Sequence, residues 1–419
     1  MLRLYFLVTI LLLGVPNVNP EVSVEQYGNA EISTREMLEI GIGSGNGGSG
    51  GGGTGGGGES HGGGGGSGGG GESGGGGEND NVNPACFSNA RLYQAFLALQ
   101  IWKKAITADP RGILNNWVGS DICNYTGVYC APPADKSVDK VVAGIDLNHA
   151  RLTGTLVEEL GLLNDTAIFH INTNNFNGTI PLGISNLHIL SELDVSNNQF
   201  SGYFPSVVFT LHNLIFLDIR YNKFYGTIPA ELFHRNLDAI FVNNNHFEQE
   251  IPANLGSSPA SVLSFANNKF KGSIPSSICK MAKTLNEVLF LNNKLSGCLP
   301  EQIGLLNAVT VFDISFNSIA GEIPASVDCM RSLEELNLAH NQLYGRIPDT
   351  LCCIKSLNNL TLSSNYFSAE GKSCIIPNRS VVIDDTQNCI PNRPLQRSQK
   401  ECAAFATKPK MCAPTLPPT

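Results

Sequence analysis

Asp146, Asp194, Asp218 and Asp313 each stand four residues before a position that recurs along the chain, and His170 and Phe241 occupy the same column. Carboxylates interrupted by an imidazole and an aromatic ring attract a cation and offer it an apolar contact, without making or breaking a bond. A second column, directly before the recurring position, holds His149, Tyr221, Phe316 and His340, amphipathic anchors of the sort that dominate binding hot spots. Taken singly, each Asp reads as a solvated residue common at its place; the columns carry meaning as sets. Catalytic patterns are missing. The chain has no G-x-S-x-G, H-E-x-x-H or phosphate-loop element, and its eight histidines are scattered. Glu158 with Glu159, and Asp384 with Asp385, are neighbours in sequence rather than pairs across a cleft, and read as solvated surface. A net charge of -9 disfavours nucleic acid, whose phosphates need clustered Lys and Arg, and favours a basic partner. These residues describe a binding protein, not an enzyme, with no metal and no cofactor.

The twelve cysteines are the other chemically capable residues. In an exported chain they become cross-links rather than metal ligands or redox centres. Cys123 and Cys130 flank a short turn and should bridge across it. Cys329 and Cys353 follow Asn317 and Asn341 by the same twelve residues, so stacked repeats would hold them about 5 Å apart, within bonding reach. Cys352 is then available to Cys374. Cys279 is assigned to Cys298, and Cys389 to either Cys402 or Cys412; Cys86 is left to a second chain or to the tail. Sequons at Asn124, Asn164, Asn177, Asn359 and Asn378 add acceptors for N-linked glycans. Asn177 falls just past its strand, where a glycan points off the edge, whereas the loop at Asn124 is tight.

A repeat positions these residues. The segments Phe169-His-Ile-Asn-Thr-Asn174, Leu193-Asp-Val-Ser-Asn-Asn198 and Leu217-Asp-Ile-Arg-Tyr-Asn222 align at a period of 24. Asn continues at 245, 268, 293, 317, 341 and 365 with gaps of 23 to 25, and Ile145-Asp-Leu-Asn-His-Ala150 keeps the frame with Ala in that place, which makes ten repeats. The period and the L-x-L-x-x-N core are those of leucine-rich repeats. Leu193 and Val195 alternate inward from a short strand, the strands pair into a curved parallel sheet, and the Asn turns inward to satisfy the loop backbone, a structural ladder rather than a ligand site. The alternate residues project from the inner surface and make the columns. Ile-Pro at Ile228-Pro229, Ile274-Pro275, Ile323-Pro324 and Ile347-Pro348 closes each turn where no ladder donor is required.

Composition divides the rest. Residues 1–19 read as an export signal, with Arg3 before the apolar run Leu4 to Leu13 and Gly14, Pro16 and Asn17 after it. No later stretch reaches the roughly 20 apolar residues of a membrane helix. Residues 20–40 are undefined, and 41–82 are a glycine-rich tether with almost nothing to bury and no flanking strand or helix start that a phosphate loop would need. Residues 83–142 form an N-terminal cap, in which Leu92, Phe96, Leu99, Ile101, Trp102 and Ile106 give a helix over 89–107 an apolar face, stopped by Asp109-Pro110. Residues 143–373 are the repeats, 374–412 a Cys-rich C-terminal cap, and 413–419 a Pro-rich remnant. The fold expected is an α/β solenoid, a horseshoe of about ten repeats closed by a helical, disulfide-bonded cap and a Cys-rich one.

The G-x-I-P element marks a plant-type leucine-rich repeat. Three stretches go further: Gln94 to Pro132 with Cys123-Asn-Tyr-Thr-Gly-Val-Tyr-Cys130, Gly144-Ile-Asp-Leu-Asn-His149, and Leu237-Asp-Ala-Ile-Phe-Val-Asn243. With the tail from Asn388-Cys389 to Cys402, they resemble the N-terminal half of leucine-rich-repeat extensins over about Asn89 to Cys412. The resemblance implies a secreted cell-wall glycoprotein whose repeats bind basic, cysteine-rich signalling peptides of the rapid alkalinisation factor type, as a homodimer, in wall integrity and growth control. It departs at Ala413-Pro-Thr-Leu-Pro-Pro-Thr419, which has no Ser followed by several prolines, so wall anchoring by such a tail is not implied. A polygalacturonase-inhibitor-like defence protein shares the G-x-I-P repeat, and a wall polysaccharide is the other candidate ligand. The longer N-terminal region and Cys-rich tail argue against the inhibitor reading.

Overall fold

The computed structural model describes residues 82–375, 381–408 and 412. The export segment 1–19, the segment 20–40, the tether as far as 81, Asn378 and the remnant 413–419 lie outside the described residues. Each repeat lays down two short strands and a 3-10 turn. The first strands form a twelve-stranded sheet, opened by Val128–Ala131 antiparallel to Val141–Asp146 and then parallel as far as Val382–Asp384. The second strands form an eleven-stranded sheet along the adjoining side, opened by Ile106–Ala108. The 3-10 turns, such as Leu182–Asn186 and Ala230–His234, occupy the third side. Among the described residues, α-helix is confined to Ala90–Ala105 in the N-terminal cap and to Lys372–Ile375 and Gln399–Ala406 in the C-terminal one.

The Asn ladder explains the stacking. Asn198 Nδ2 donates to the carbonyl of Ile171 in the preceding turn at 2.9 Å and to those of Val195 and Ser196 in its own, while its Oδ1 accepts from Phe176 N at 3.0 Å. One amide thus satisfies backbone groups that burial would otherwise leave unpaired, a cost of about 1–3 kcal/mol for each group. The ladder runs one turn further than the ten repeats expected. Asn388 Nδ2 donates to Leu362 O and its Oδ1 accepts from Phe367 N, with Val382–Asp384 as an eleventh parallel strand inside the segment assigned to the C-terminal cap. The residue before each rung is left-handed, with φ between 51° and 57° at positions such as His149, Asn197, Tyr221, Asn292, Phe316 and His340.

Both ends are closed by aromatic and covalent contacts. Trp102 on the first helix is fully buried, its ring 5.8 Å from each of Phe169 and Phe176 and 6.0 Å from Trp117. Asn89 caps the helix by accepting from Leu92 N, and Cys123 is bonded to Cys130 beneath it. At the other end Phe405 stacks on Tyr366 at 3.7 Å, and Arg393 pairs with Glu370 and with Asp385. Asp385 is therefore buried and paired, not the solvated neighbour of Asp384 that adjacency suggested.

Cys352 is bonded to Cys374 and Cys389 to Cys402, while Cys298 takes Cys412 rather than Cys279. Cys279 is buried in the turn Ser276–Met281, whereas Cys298 is exposed at the end of a strand of the eleven-stranded sheet, so the two face different sides of the solenoid. Cys329 and Cys353 are free and exposed, as is Cys86. Their turns differ in length, Ala325–Cys329 against Leu351–Cys353, so equal spacing does not bring the sulfurs together; Cys329 Sγ donates instead to Asp328.

Candidate ligand-binding face

The open face of the twelve-stranded sheet is where the predicted columns arrive. Strand alternation sends Phe169, Leu193, Leu217, Val288 and Phe312 into the core and leaves the residues on either side of each pointing outward. His170, Asp194, Asp218 and Phe241 thus lie on adjacent strands in register, with Asp313 three strands beyond Phe241.

Its N-terminal half is electrostatically self-contained. Asp194 is only 8% exposed, and its two oxygens accept from Ser196 N at 2.9 Å and Asn172 Nδ2 at 2.9 Å. Asp218 is 1% exposed and accepts from Arg220 N, with Arg220 Nε 2.9 Å from its other oxygen. Burial, reinforced by Asp194, pushes the Asp218 carboxyl up to about 8 despite Arg220. His170 Nε2 lies 3.0 Å from Glu192. Burial disfavours its charge, but Glu192, Asp194 and Asp146 together hold its pKa above the ordinary value. Arg220 also covers the Phe241 ring at 5.2 Å. Asp194 and Asp218 are thus buried, strand-end carboxylates rather than the exposed steering charges the column suggested. Asp146, which accepts from Asn148 N, is half-buried.

The C-terminal half differs. Glu287, Asp313 and Glu335 lie within three neighbouring strands, Glu287–Leu289, Val311–Asp313 and Glu335–Asn337. Asp313 accepts from Ser315 N and Asn337 Nδ2, and Glu335 accepts from Asn359 Nδ2 at 3.3 Å. Among the described residues no cation pairs with any of the three. Burial, then Glu335, pushes Glu287 up to about 7, and burial also raises Asp313. Glu287 and Glu335 were not in the predicted columns; they belong to a third, six residues before each rung, visible as Glu192, Glu287 and Glu335 before Asn198, Asn293 and Asn341.

Along the rim, Phe316 and His340 stack at 4.1 Å, and Tyr221 and Phe316 are 42% and 51% exposed. Asn, which tolerates the left-handed conformation, fills this row at 197, 244, 267 and 292; bulky aromatic rings at φ near 52° are strained there. Burial and the nearby Arg397 lower the His340 pKa against Asp384, which keeps the imidazole a neutral stacking partner.

The comparisons agree with this architecture. The profile described as leucine rich repeat N-terminal domain matches residues 93–131, and that of the leucine rich repeat matches 190–211, 261–281 and 332–354. The chain is a leucine-rich-repeat protein with its own N-terminal cap. It is 54% identical over 341 residues to leucine-rich repeat extensin-like protein 6 of Arabidopsis thaliana, across 79% of this chain and 72% of that one. With protein 7 of the same series the identity is 59%, across 78% and 75%. The chain therefore belongs to the leucine-rich repeat extensin-like family, whose members are not enzymes; it spans only 43% and 44% of two longer relatives, proteins 2 and 1. Among solved structures, it is similar to the ectodomain of the Arabidopsis receptor kinase HAESA, in complex with an extended IDA peptide hormone ligand. There the identity is 28%, the TM-score 0.56, and the coverage 72% of this chain and 54% of that one.

Proposed function

We propose that this is a secreted cell-wall protein that binds basic, cysteine-rich signalling peptides of the rapid alkalinisation factor type on the open face of its twelve-stranded sheet. The observation that carries the reading is the set Glu287, Asp313 and Glu335, three carboxylates on neighbouring strands of one sheet, Asp313 and Glu335 half-buried and Glu287 9% exposed, with no cation paired to them among the described residues. Holding such charges together is unfavourable in the free protein, and a ligand that brings Lys or Arg relieves it. Phe316, His340 and Tyr221 supply the apolar contact. Four disulfides among the described residues suit an oxidising compartment, and membership of the extensin-like family suits the wall.

Calorimetry of the full chain against such peptides tests the reading. Saturable binding that weakens as salt rises from about 50 to 300 mM is expected, since screening shortens the reach of the acids. Equal binding of a peptide whose Lys and Arg are replaced by Gln, or no binding at all, overturns it.

A further inference from the structure

The strand Asn359–Thr361 belongs to the same sheet and holds the sequon Asn359-Leu360-Thr361. Leu360 is buried, so by alternation Asn359 and Thr361 stand on the open face. Asn359 is in register with Glu335 on one side and with the 66%-exposed Val382 on the other. Its Nδ2 lies 3.3 Å from Glu335 Oε1. The other described sequons are elsewhere: Asn124 in the cap loop, Asn164 in a turn, and Asn177 on the eleven-stranded sheet, all three exposed.

We infer that Asn359 carries an N-linked glycan that stands on the open face and bounds the peptide site just beyond Glu335. The inference rests on the proposed peptide reading for its second half only. The chemistry is transfer from a lipid-pyrophosphate-linked oligosaccharide to the extended chain before folding. Nδ2 bonds to the anomeric carbon, the carbon–oxygen bond to the pyrophosphate breaks with its electron pair leaving on that oxygen, and the amide proton goes to a base of the transferase. Once Leu360 is buried, the sugar has one exit. The core lies behind the strand and paired strands about 4.8 Å away flank it, so the glycan projects from the open face. The substituted amide retains one N–H, enough to keep its bond to Glu335. A peptide seated over Glu287, Asp313 and Glu335 therefore meets a sugar wall at the next strand and does not extend over Val382.

The test uses the full chain secreted from plant cells, as wild type, Asn359→Gln and Thr361→Ala; the last keeps the Asn359 side chain while destroying the sequon. Glycopeptide mass spectrometry should find a glycan on Asn359 of the wild type and on neither variant. Carbodiimide labelling of carboxyl groups should then modify Glu335 at least threefold faster in both variants, with exposed Glu248 on the other sheet unchanged. An unoccupied Asn359, or equal labelling of Glu335, overturns the inference. Titration with a basic disulfide-bonded peptide should show at least a threefold change in affinity in both variants; unchanged affinity in a protein that binds overturns the bounding role alone. If no form binds peptide, the proposed function fails, while occupancy and labelling still decide where the glycan stands.

Discussion

The two halves of the open face are built on one template yet are opposite in electrostatic state. In the N-terminal half, Glu192 is matched by His170 and Asp218 by Arg220, while Asp194, like Asp313 beside Asn337, has a neutral amide partner, Asn172. In the C-terminal half, Glu335 disfavours the charge on Glu287, across Val311, and on Asp313, and among the described residues no cation pairs with the three. A carboxylate at the same repeat position is paired with a cation at Asp218 and is without one at Asp313, where the proposed function gives it a part in recognition. What differs is whether a cation stands within reach, as Arg220 does two residues beyond Asp218 and His170 does on the strand beside Glu192. Under the proposed function a ligand cation has little to neutralise at Asp218, which Arg220 already pairs, and finds uncompensated carboxylates at Asp313, Glu335 and the more buried Glu287.

The largest effect expected is on binding. Glu287→Gln combined with Glu335→Gln should weaken a basic peptide by about 100-fold, roughly 2.7 kcal/mol, within the range for close charge pairs at interfaces. Asp194→Asn with Asp218→Asn should change affinity less than threefold in the same titration. A reversal of that ranking would dismantle the contrast between the halves.

Stability should show the opposite asymmetry. Arg220→Met leaves Asp218 buried without its cation and should cost about 2 kcal/mol in urea unfolding at pH 8, less than a fully ionised buried pair would lose because Asp218 can take up a proton. Peptide affinity should be unchanged. If Arg220→Met weakens binding tenfold, the N-terminal half is part of the site.

Proton linkage separates the halves further. The folded pKa of Glu287, about 7, lies above its ordinary value of 4.5, so between those values the folded chain holds a proton that the unfolded chain has released. Its contribution to stability is therefore greatest in acid and declines as pH rises through 4.5 to 7. A bound cation favours the ionised form, so peptide affinity should rise by roughly fivefold between pH 6 and pH 8. Glu287→Gln should flatten both dependences, as read by thermal melts and calorimetry across that range. A pH-independent affinity in the wild type would remove Glu287 from contact with the ligand.

The smallest effect sharpens the role of the rim. Phe316→Asn replaces a strained left-handed ring by a residue at home there and forfeits the stack on His340, for a net gain of about 0.5 kcal/mol in stability. Peptide affinity should fall about fivefold. Loss of stability together with unchanged affinity would make the stack structural.

The repeat was legible in sequence because its chemistry is local. An Asn every 23 to 25 residues satisfies its own turn and the preceding one, so its spacing alone locates the strands and the residues facing outward. Asn388 keeps the period in the eleventh repeat but stands beside Cys389, in a segment whose cysteines read as a cap. Burial of Asp194 and Asp218 was not legible, since Asp194 is held by Asn172 of the preceding repeat and Asp218 by the rotamer that folds Arg220 back over it. Glu287 and Glu335 could have been found, because alternation exposes the residue six before the rung as surely as the one four before it. The partner of Cys298 could not, because Cys412 lies 114 residues away and outside the period.

That bond also determines how the molecule carries load. A solenoid pulled from its end yields repeat by repeat, each held only by its neighbour. Tension applied beyond Cys412 passes through the sulfur bridge directly to Cys298, so the chain between them, including the strands of Asp313, Glu335 and Asn359, sits in a closed covalent loop outside the line of force. The part of the proposed binding face that carries Asp313 and Glu335 is thereby sheltered from a pull at that end of the solenoid.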